Sequence, residues 1–429
     1  MRRVRTLVIA EAANPEWVSV PLVGWSLATA LRDVADVHLV TQIRNRDAIL
    51  RAGLVEGVDF TAIDSEAIAR PVWRVANALR LDKGKAWTVA TAAAALSYPY
   101  FERLVWRRFG AEIAAKRFDI VHRVTPLSPT AVSPIARKVR AAGVDFVIGP
   151  LNGGVPWPPG YEAARRKERE WLSYVRAVHR LLPGRGATFD AASAILCGSR
   201  HTMSEIPERH RDKCVYLPEN GVDPERFNMV AQDDPLGPLR ACFIGRMVPY
   251  KGPDMLIEAA APFLRDGSMT LDMIGDGPMM AELRASAERE GAADAICFHG
   301  WLDHATVQSV AARCAVLAFP SIREFGGGVV LEAMALGLVP VVVDYAGPGE
   351  LVDESVGFKT PVAPRAALIT SFREALARVL AERSSLPDYA QRARRRIDEE
   401  HAWPRKAERI LGIYRNILSP ASHDAQNHP

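Results

Sequence analysis

Two glutamates that flank a run of three glycines are the residues of this chain whose type and spacing most clearly indicate chemistry. Glu324 and Glu332 lie eight residues apart, with the glycines at 326–328 between them. Apolar stretches at 315–320 and 341–343 enclose the segment, so the pattern predicts strand, glycine turn, helix and strand, the unit of parallel α/β sheets. Bare backbone at a helix start can hold a phosphate. The two carboxylates, on one side of the helix, can grip sugar hydroxyls.

Two basic residues follow an earlier predicted strand in the same half of the chain. The strand at 239–244 leads into Gly245 and Arg246, and Lys251 comes five residues later. Arginine offers a planar fork to phosphate oxygens, and lysine offers a mobile point charge. A strand-end arginine and lysine, together with a glycine-lined helix start, predict a site for a diphosphate leaving group.

Together the two motifs resemble those of the retaining glycosyltransferases of family 4 (group 1), which have the GT-B fold. The resemblance covers most of the chain and is densest in the C-terminal half. It implies an α/β protein with two Rossmann-like, doubly wound parallel-sheet domains that face a central cleft. It also implies transfer of a sugar from a UDP-, GDP- or ADP-sugar to a saccharide or glycolipid acceptor, with retention at the anomeric carbon. A lipid-linked saccharide in polysaccharide or glycolipid synthesis is one candidate acceptor.

The resemblance assigns roles to five residues. Arg246 and Lys251 would neutralise the leaving diphosphate, and preorganised charge of this kind is usually the largest catalytic contribution. Glu324 would contact the donor sugar, and Glu332 would hold the ribose hydroxyls. His122, near the end of an apolar strand, would donate a hydrogen bond to the sugar or its phosphate. The candidate catalytic residues are therefore His122, Arg246, Lys251 and Glu324.

Loops after the other predicted strands supply the remaining candidates. The resemblance implies donor binding by Gly245, Gly275, Asp276, Trp301, Gly326, Gly327, Gly328, Val329 and Glu332. Cleft loops that approach phosphate or acceptor would contain Gly24, Asn152, Gly153 and Gly154. For Gly24, simple helix–strand packing stays open as an alternative. The commonest family form has Glu-Gly-Phe-Gly where this chain has Glu-Phe-Gly-Gly, so the donor sugar is left open.

The chain contains no Asp-x-Asp sequence, the pair with which metal-dependent transferases of the other major fold hold a divalent ion on the diphosphate. We therefore expect no metal site and no cofactor, because the fixed cations of Arg246 and Lys251 would replace the ion. No carboxylate of the motifs is an obvious nucleophile. We expect a same-face displacement that the leaving phosphate assists.

A chain of 429 residues exceeds one ordinary core, so two domains of roughly 200 residues are expected. The first, an acceptor domain at 1–226, has predicted strands at 4–10, 37–41, 58–63, 120–124, 146–149, 194–197 and 215–217. The second, a nucleotide-sugar donor domain at 227–405, has predicted strands at 239–244, 269–274, 296–298, 316–319 and 339–343. Alternating helices make both sheets parallel and doubly wound.

Helical patterns fill most of the gaps between the predicted strands. The main predicted helices are 21–32, 70–80, 98–115, 133–142, 162–182, 366–382 and 389–400. The resemblance implies that a last helix, 406–418, crosses back onto the first domain. The tail at 419–429 is expected to be disordered.

Composition narrows the class of protein. Hydrophobic residues make up 48% of the chain and charged residues 24%, which is typical of a globular protein. No stretch reaches the ~20 apolar residues of a membrane-spanning helix, and the N-terminus has too short an apolar run for a signal peptide. Five single cysteines predict reduced thiols rather than a disulfide framework. We therefore expect a cytoplasmic location.

A basic, aromatic stretch at 70–117 is open to two interpretations. It carries ten basic and three acidic residues with aromatic residues interleaved. One interpretation is peripheral contact with an anionic membrane on its cytoplasmic face, and the other is a solvated basic surface with a buried aromatic side. Nucleic-acid binding is not expected, because no nucleic-acid-binding signature accompanies the stretch and the net charge is only +4.

Two other functions compete with sugar transfer. A nucleotide-sugar epimerase or hydrolase of the same fold would process the donor without an acceptor. A catalytically inactive scaffold would bind the nucleotide or a partner transferase. The presence of Arg246, Lys251, Glu324 and Glu332 together argues against the inactive scaffold.

Overall fold

The computed structural model of the chain describes residues 2–68, 86–167, 184–232 and 234–419. Its strands are β1 Arg5–Ala10, β2 Asp36–Gln42, β3 Phe60–Ile63, β4 Ile120–Thr125, β5 Asp145–Leu151, β6 Ala194–Cys197, β7 Cys214–Tyr216, β8 Leu239–Ile244, β9 Met269–Ile274, β10 Ile296–Gly300, β11 Val316–Phe319, β12 Val339–Asp344 and β13 Phe358–Pro361. The strands predicted from the sequence all match one of these, whereas β13 was not predicted, because its Lys and Pro break the apolar pattern.

The α-helices alternate with the strands, as the parallel sheets require. They are α1 Val20–Val34, α2 Arg46–Arg51, α3 Ala86–Ala114, α4 Pro134–Ala141, α5 Glu162–Lys167, α6 Arg185–Ala191, α7 Arg200–Ser204, α8 Pro253–Arg265, α9 Met280–Arg289, α10 His304–Ala311, α11 Gly328–Leu336, α12 Ala346–Leu351, α13 Arg365–Ala381, α14 Leu386–Arg396 and α15 Trp403–Leu418. The predicted helix 70–80 and most of 162–182 lie outside the described residues.

The described residues form two compact units. The first takes its residues from Met1–Gly154, Arg169–Glu219 and Trp403–Pro429, and the second takes its residues from Val155–Glu168 and Asn220–Ala402. The chain therefore passes from one unit to the other four times. Neither unit is a continuous piece of sequence.

Parallel strands form the sheet of the first unit, in the order β3-β2-β1-β4-β5-β6-β7. Alternate side chains of a strand point to opposite faces. In β1, Val8 belongs to one hydrophobic cluster, whereas Leu7 and Ile9 belong to a second. Both faces of the sheet are thus covered, which explains why its strands are mostly apolar.

The last helix, α15, belongs to the first unit. Its apolar residues recur at helical spacing, and Trp403, Ala407, Ile410 and Tyr414 are buried in the cluster that also holds Leu27 of α1. This apolar stripe holds the end of the chain on the first unit. Of the predicted tail 419–429, only the first residue is described.

The second unit has a parallel sheet in the order β10-β9-β8-β11-β12-β13. In each sheet the strand order reverses once, between β1 and β4 in the first unit and between β8 and β11 in the second. Ligands of open α/β sheets bind outside the carboxyl ends of the strands at such a switch point. The sheet order therefore directs attention to the loops that leave β8 and β11.

The division of the chain differs from the predicted boundary at 226/227. The second unit begins at Asn220, because the backbone N–H of Val222 donates to the carbonyl of His401 (3.0 Å) and Val222 pairs with Ala402 in an isolated bridge. Residues from 220 onward are thereby tied to the end of the second unit. The segment 155–168 was predicted to lie in the first domain but belongs to the second unit.

The described part of the basic, aromatic stretch forms most of α3. Tyr98 and Phe101 are buried in the core of the first unit, while Arg103 and Arg107 are exposed. This arrangement is compatible with both interpretations of the stretch, a solvated basic surface and contact with an anionic membrane. Within the described ranges, no helix has both the length and the apolarity needed to cross a membrane.

Candidate functional site

The loops after β8 and β11 meet through an ion pair. Lys251 Nζ lies 2.6 Å from Oε2 of Glu324, and their side chains are only 15% and 21% exposed. The ammonium also lies 5.2 Å from the centre of the Phe319 ring. The predicted pair of residues is thus brought together in the second unit, directly beside the switch point.

The electrostatic setting of Lys251 keeps it charged. Burial disfavours the ammonium, but the Glu324 carboxylate, with smaller contributions from Tyr250 and Glu332, outweighs it, so the pKa of Lys251 is raised. A lysine whose pKa is raised above its ordinary value stays protonated at neutral pH. The site therefore holds a fixed positive charge that can face a phosphate.

One close backbone approach and two backbone hydrogen bonds shape the loops after β8 and β9. A Cβ on Gly275 would lie 2.0 Å from the carbonyl oxygen of Gly245, so only glycine fits there. The N–H of Gly275 donates to the carbonyl of Gly300 (2.8 Å), and the N–H of Met247 donates to the carbonyl of Asp276 (3.0 Å). The three loops that leave β8, β9 and β10 are thus held edge to edge.

The glycine run makes the start of α11 possible. Gly327 is the N-cap, with a φ of 59°, a conformation that glycine adopts readily. A Cβ on Gly327 would come 2.8 Å from Cδ1 of Leu351, and one on Gly347 would come 2.4 Å from the carbonyl oxygen of Phe325. Gly328 and Val329 open the helix, and the first turn of a helix lacks intrahelical partners for its N–H groups. This is the backbone arrangement that binds anions.

Glu332 lies one turn into α11 and is half-buried. Burial raises the pKa of its carboxyl to about 7, although the positive charges of Arg226 and Lys251 lower it. At neutral pH the group is divided between its two protonation states. It can therefore both donate a hydrogen bond to a hydroxyl and accept one.

Arg246, Asp276 and Trp301 present their side chains to solvent. Arg246 is exposed, and its side chain has neither a hydrogen bond nor an ion pair to any residue in the described ranges. Asp276 is exposed and accepts a hydrogen bond from the N–H of Gly277 (2.7 Å). Trp301 is 77% exposed, directly after β10. These three side chains are accessible to a ligand, as their predicted roles require.

His122 was predicted to be a catalytic donor, and the structure places it elsewhere. It is buried on β4, where Nε2 donates to the carbonyl of Gly149 (2.7 Å) and Nδ1 accepts from the hydroxyl of Tyr414 (2.6 Å). Burial, helped by the charge of Arg123 and opposed by the bond to Gly149, lowers the pKa of His122 to about 4. Both ring nitrogens are therefore occupied inside the first unit, and the residue joins two strands to α15.

The predicted cleft residues of the first unit also have structural partners. Asn152 is buried, its amide donates to Glu219 (2.6 Å), and its oxygen accepts from Ser199 (3.0 Å) and from the N–H of Gly153 (2.8 Å). A Cβ on Gly24 would lie 2.1 Å from the carbonyl oxygen of Ala12. This close approach favours the packing role that the sequence left open for Gly24. Asn152 thus holds its loop in place, and Gly24 lets α1 pack closely against Ala12.

Gly153 and Gly154 are the last residues of the first unit before the chain enters the second. Both have positive φ values, 137° and 80°, and Gly154 is exposed. Their freedom lets the chain turn at this crossing.

One cluster in the described ranges brings potential metal ligands together. Asp272, Cys297 and His299 place one ligand atom each within 4.8 Å of one another. However, Asp272 already accepts hydrogen bonds from His299 (2.6 Å) and Arg240 (3.1 Å). A guanidinium on the same carboxylate disfavours a cation there, since like charges repel.

Residues that the sequence reasoning missed surround the ion pair. Arg323 directly precedes Glu324, is only 4% exposed, and has its guanidinium near the rings of Trp157 (5.2 Å) and Phe325 (5.3 Å). In the sequence, the position of Phe325 between Glu324 and the glycines was the one local sign that an aromatic ring lies at this place. The part played by Trp157, 166 residues away in sequence, left no local signal.

The fold of the chain resembles that of solved structures. The crystal structure of HepE from Anabaena in complex with UDP, 14% identical in sequence, aligns with 96% of this chain and 100% of its own chain at a TM-score of 0.61. A likeness at this identity concerns the fold. The chain has the GT-B fold, as the resemblance implied.

The sequence of the second unit matches a known family. Residues 226–396 match the family described as Glycosyl transferases group 1. A glycogen synthase of Mycobacterium tuberculosis is 29% identical over 197 residues, 46% of this chain and 47% of the relative. A 2-deoxystreptamine glucosyltransferase of Streptomyces kanamyceticus is 35% identical over 120 residues, 28% of this chain and 30% of the relative. The chain thus spans half or less of the length of these relatives.

Proposed function

We propose that this chain is a retaining, metal-independent glycosyltransferase that binds a nucleotide-diphosphate sugar in its second unit. The observation that carries the proposal is the 2.6 Å contact between Lys251 and Glu324 beside the β8/β11 switch point. It places a cation and a carboxylate next to the glycine-lined start of α11. A nucleotide-diphosphate sugar needs both, since its phosphates are anionic and its sugar carries hydroxyls. The carrier is UDP, GDP or ADP, and the bound UDP of the similarly folded HepE favours a test of UDP first.

Each group has a role that its chemistry allows. Lys251 and the accessible guanidinium of Arg246 bind the diphosphate and stabilise the charge that grows on it as the sugar leaves. The N–H groups at the start of α11 bind the same phosphates. Glu324 accepts hydrogen bonds from the sugar, and Glu332 binds the ribose hydroxyls. Fixed cations of this kind take the place of a divalent ion, so activity should survive EDTA.

The transfer itself exchanges one bond for another at the anomeric carbon. The bond from that carbon to the phosphate oxygen breaks, and a bond from the acceptor hydroxyl oxygen forms on the same face. The proton of the acceptor hydroxyl passes to the leaving phosphate oxygen. The acceptor, a saccharide or glycolipid, is recognised by the first unit. The exposed basic side of α3 suits an acceptor held at an anionic membrane surface.

Thermal stability with UDP, GDP and ADP, each in EDTA, tests the proposal. A ligand at 100 times its dissociation constant adds roughly 2.7 kcal/mol to stability. We expect one nucleotide to stabilise the wild type but not Glu332→Ala. Stabilisation by none of the three would contradict the proposal and favour an inactive scaffold. Nucleotide release from the sugar donor at the same rate without acceptor would instead favour a hydrolase or epimerase.

A further inference from the structure

A short segment that leaves the first unit is held on the second unit, next to the ion pair. We call residues 155–161 the strap. The chain before it, up to Gly154, belongs to the first unit, as do the described residues 184–219. Between these two parts of the first unit, the strap and α5 are part of the second unit. The segment lies outside the family match at 226–396.

The strap is anchored at several points away from the ion pair. Tyr161 is buried in the core of the second unit and its hydroxyl donates to the carbonyl of Ala363 (2.9 Å). The hydroxyl of Tyr345 donates to the carbonyl of Pro156 (3.0 Å). A Cβ on Gly160 would come 3.2 Å from Cβ of Pro364, so the backbone lies directly on that loop. These contacts fix the strap to the second unit by its own residues.

The strap also provides partners for a buried cation. Burial of a guanidinium is costly unless hydrogen bonds and other contacts compensate. Nε of Arg323 donates to the carbonyl of Val155 (3.1 Å), and the guanidinium lies 5.2 Å from the centre of the Trp157 ring. Phe325 flanks it at 5.3 Å. Arg323 can therefore lie buried next to Glu324 because the strap is there.

Trp157 contacts the other side of the ion pair as well. Its ring meets that of Tyr250 edge to face, with centroids 6.4 Å apart. Tyr250 directly precedes Lys251, and its carbonyl accepts from the N–H of Ile322 (2.9 Å) and the hydroxyl of Ser321 (3.2 Å). The strap thus touches a sequence neighbour of each member of the pair.

We propose that the strap is a positioning element for the donor site, in which Trp157 acts through Arg323 and Tyr250 to hold Glu324 against Lys251. The inference deepens the proposed function and rests on it for its effect on nucleotide binding. Its structural part, the fixed Lys251–Glu324 contact, can be tested without any ligand. The strap would make the donor site depend on a segment outside the part of the chain that matches the family.

The test compares wild type, Trp157→Ala, Trp157→Phe, Tyr345→Phe and a control, Trp17→Ala. Trp17 is a 47% exposed tryptophan of the first unit. The first measurement is the rate at which an acylating reagent modifies Lys251, followed by mass spectrometry. Lys359, which pairs with Asp344 at 3.0 Å in the same unit, is the internal reference. The second measurement is the dissociation constant of the nucleotide that stabilises the wild type.

We expect Trp157→Ala to speed modification of Lys251 several-fold and to weaken nucleotide binding roughly tenfold, the scale of one desolvated cation–π contact. Trp157→Phe should restore most of both, and Trp17→Ala should change neither. If Trp157→Ala does not fold, Tyr345→Phe should shift both measurements in the same direction by about threefold, on the scale of one hydrogen bond.

Unchanged Lys251 reactivity and unchanged affinity in folded Trp157→Ala, even with a lower melting temperature, would overturn the strap as a positioning element. Faster modification of Lys251 in a protein that binds none of the three nucleotides would have a different meaning. That result would support the strap and contradict the proposed function.

Discussion

The pKa of Glu332 makes a quantitative prediction about stability. Its carboxyl has a pKa of about 7 in the folded protein, against an ordinary value of 4.5. The folded state therefore binds the proton more tightly than the unfolded state, and the contribution of this group to stability is greatest at low pH. As pH rises from the unfolded value through 7, that contribution is lost. Glu332→Gln removes the titration and keeps a neutral side chain of similar shape.

The size of the effect follows from the two pKa values. Between pH 5 and pH 8, ionisation of Glu332 should lower the free energy of unfolding by about 2.5 kcal/mol, at 1.36 kcal/mol for each pH unit of fully linked titration. The Gln variant should lack this loss. The difference between the two proteins should therefore change by about 2.5 kcal/mol from pH 5 to pH 8, with the variant gaining at the higher pH.

Urea unfolding of both proteins at pH 5 and pH 8 measures this difference. If the two units unfold in separate transitions, only that of the second unit should carry it. Equal m-values for the two proteins would let the midpoints report stability directly. An identical pH dependence for wild type and Glu332→Gln would mean that the carboxyl is fully ionised in the folded state at neutral pH. The burial of this group and its proposed dual hydrogen-bonding role would then both be wrong.

Two further predictions concern the ion pair and His122. Lys251→Met should lower the free energy of unfolding by about 1–3 kcal/mol, because it leaves the Glu324 carboxylate without its partner. In urea unfolding, adding Glu324→Gln should recover part of that loss. Strict additivity of the two changes would mean that the two residues are not coupled. His122→Ala should cost about 2–4 kcal/mol, since it opens a cavity and leaves Tyr414 and the Gly149 carbonyl without a partner, while nucleotide affinity stays within about twofold. A large fall in turnover at unchanged stability would instead indicate that His122 has a catalytic role.

The local patterns of the second half could be interpreted from the sequence. The strands β8, β9, β11 and β12 are mostly apolar, and the glycines at 326–328 mark the turn at which α11 begins. The contact of Lys251 with Glu324, 73 residues apart, was within reach because both follow strands that a parallel sheet places side by side. Periodicity and strand order were enough for this part of the site.

The sequence was misleading where a residue's partners lie far away and carry no motif. His122 lies near the end of a predicted strand, as a catalytic histidine would, but its hydroxyl partner is 292 residues further on, in α15. Nothing near position 122 shows that both nitrogens are taken. Arg323 is similar, because its partner Val155 is 168 residues earlier. Burial of a polar side chain depends on tertiary packing, which a local pattern does not record.

The chain passes between the two units four times. A chimera that exchanges one unit must therefore exchange more than one stretch of sequence. A chimera that replaced only residues 220–402 would take its donor-side loops from one parent and the strap from the other. Arg323 would then meet a foreign segment in place of Val155 and Trp157. A chimera designed to change the donor should therefore include 155–168 together with 220–402. Donor choice would then depend on two separate stretches of the gene.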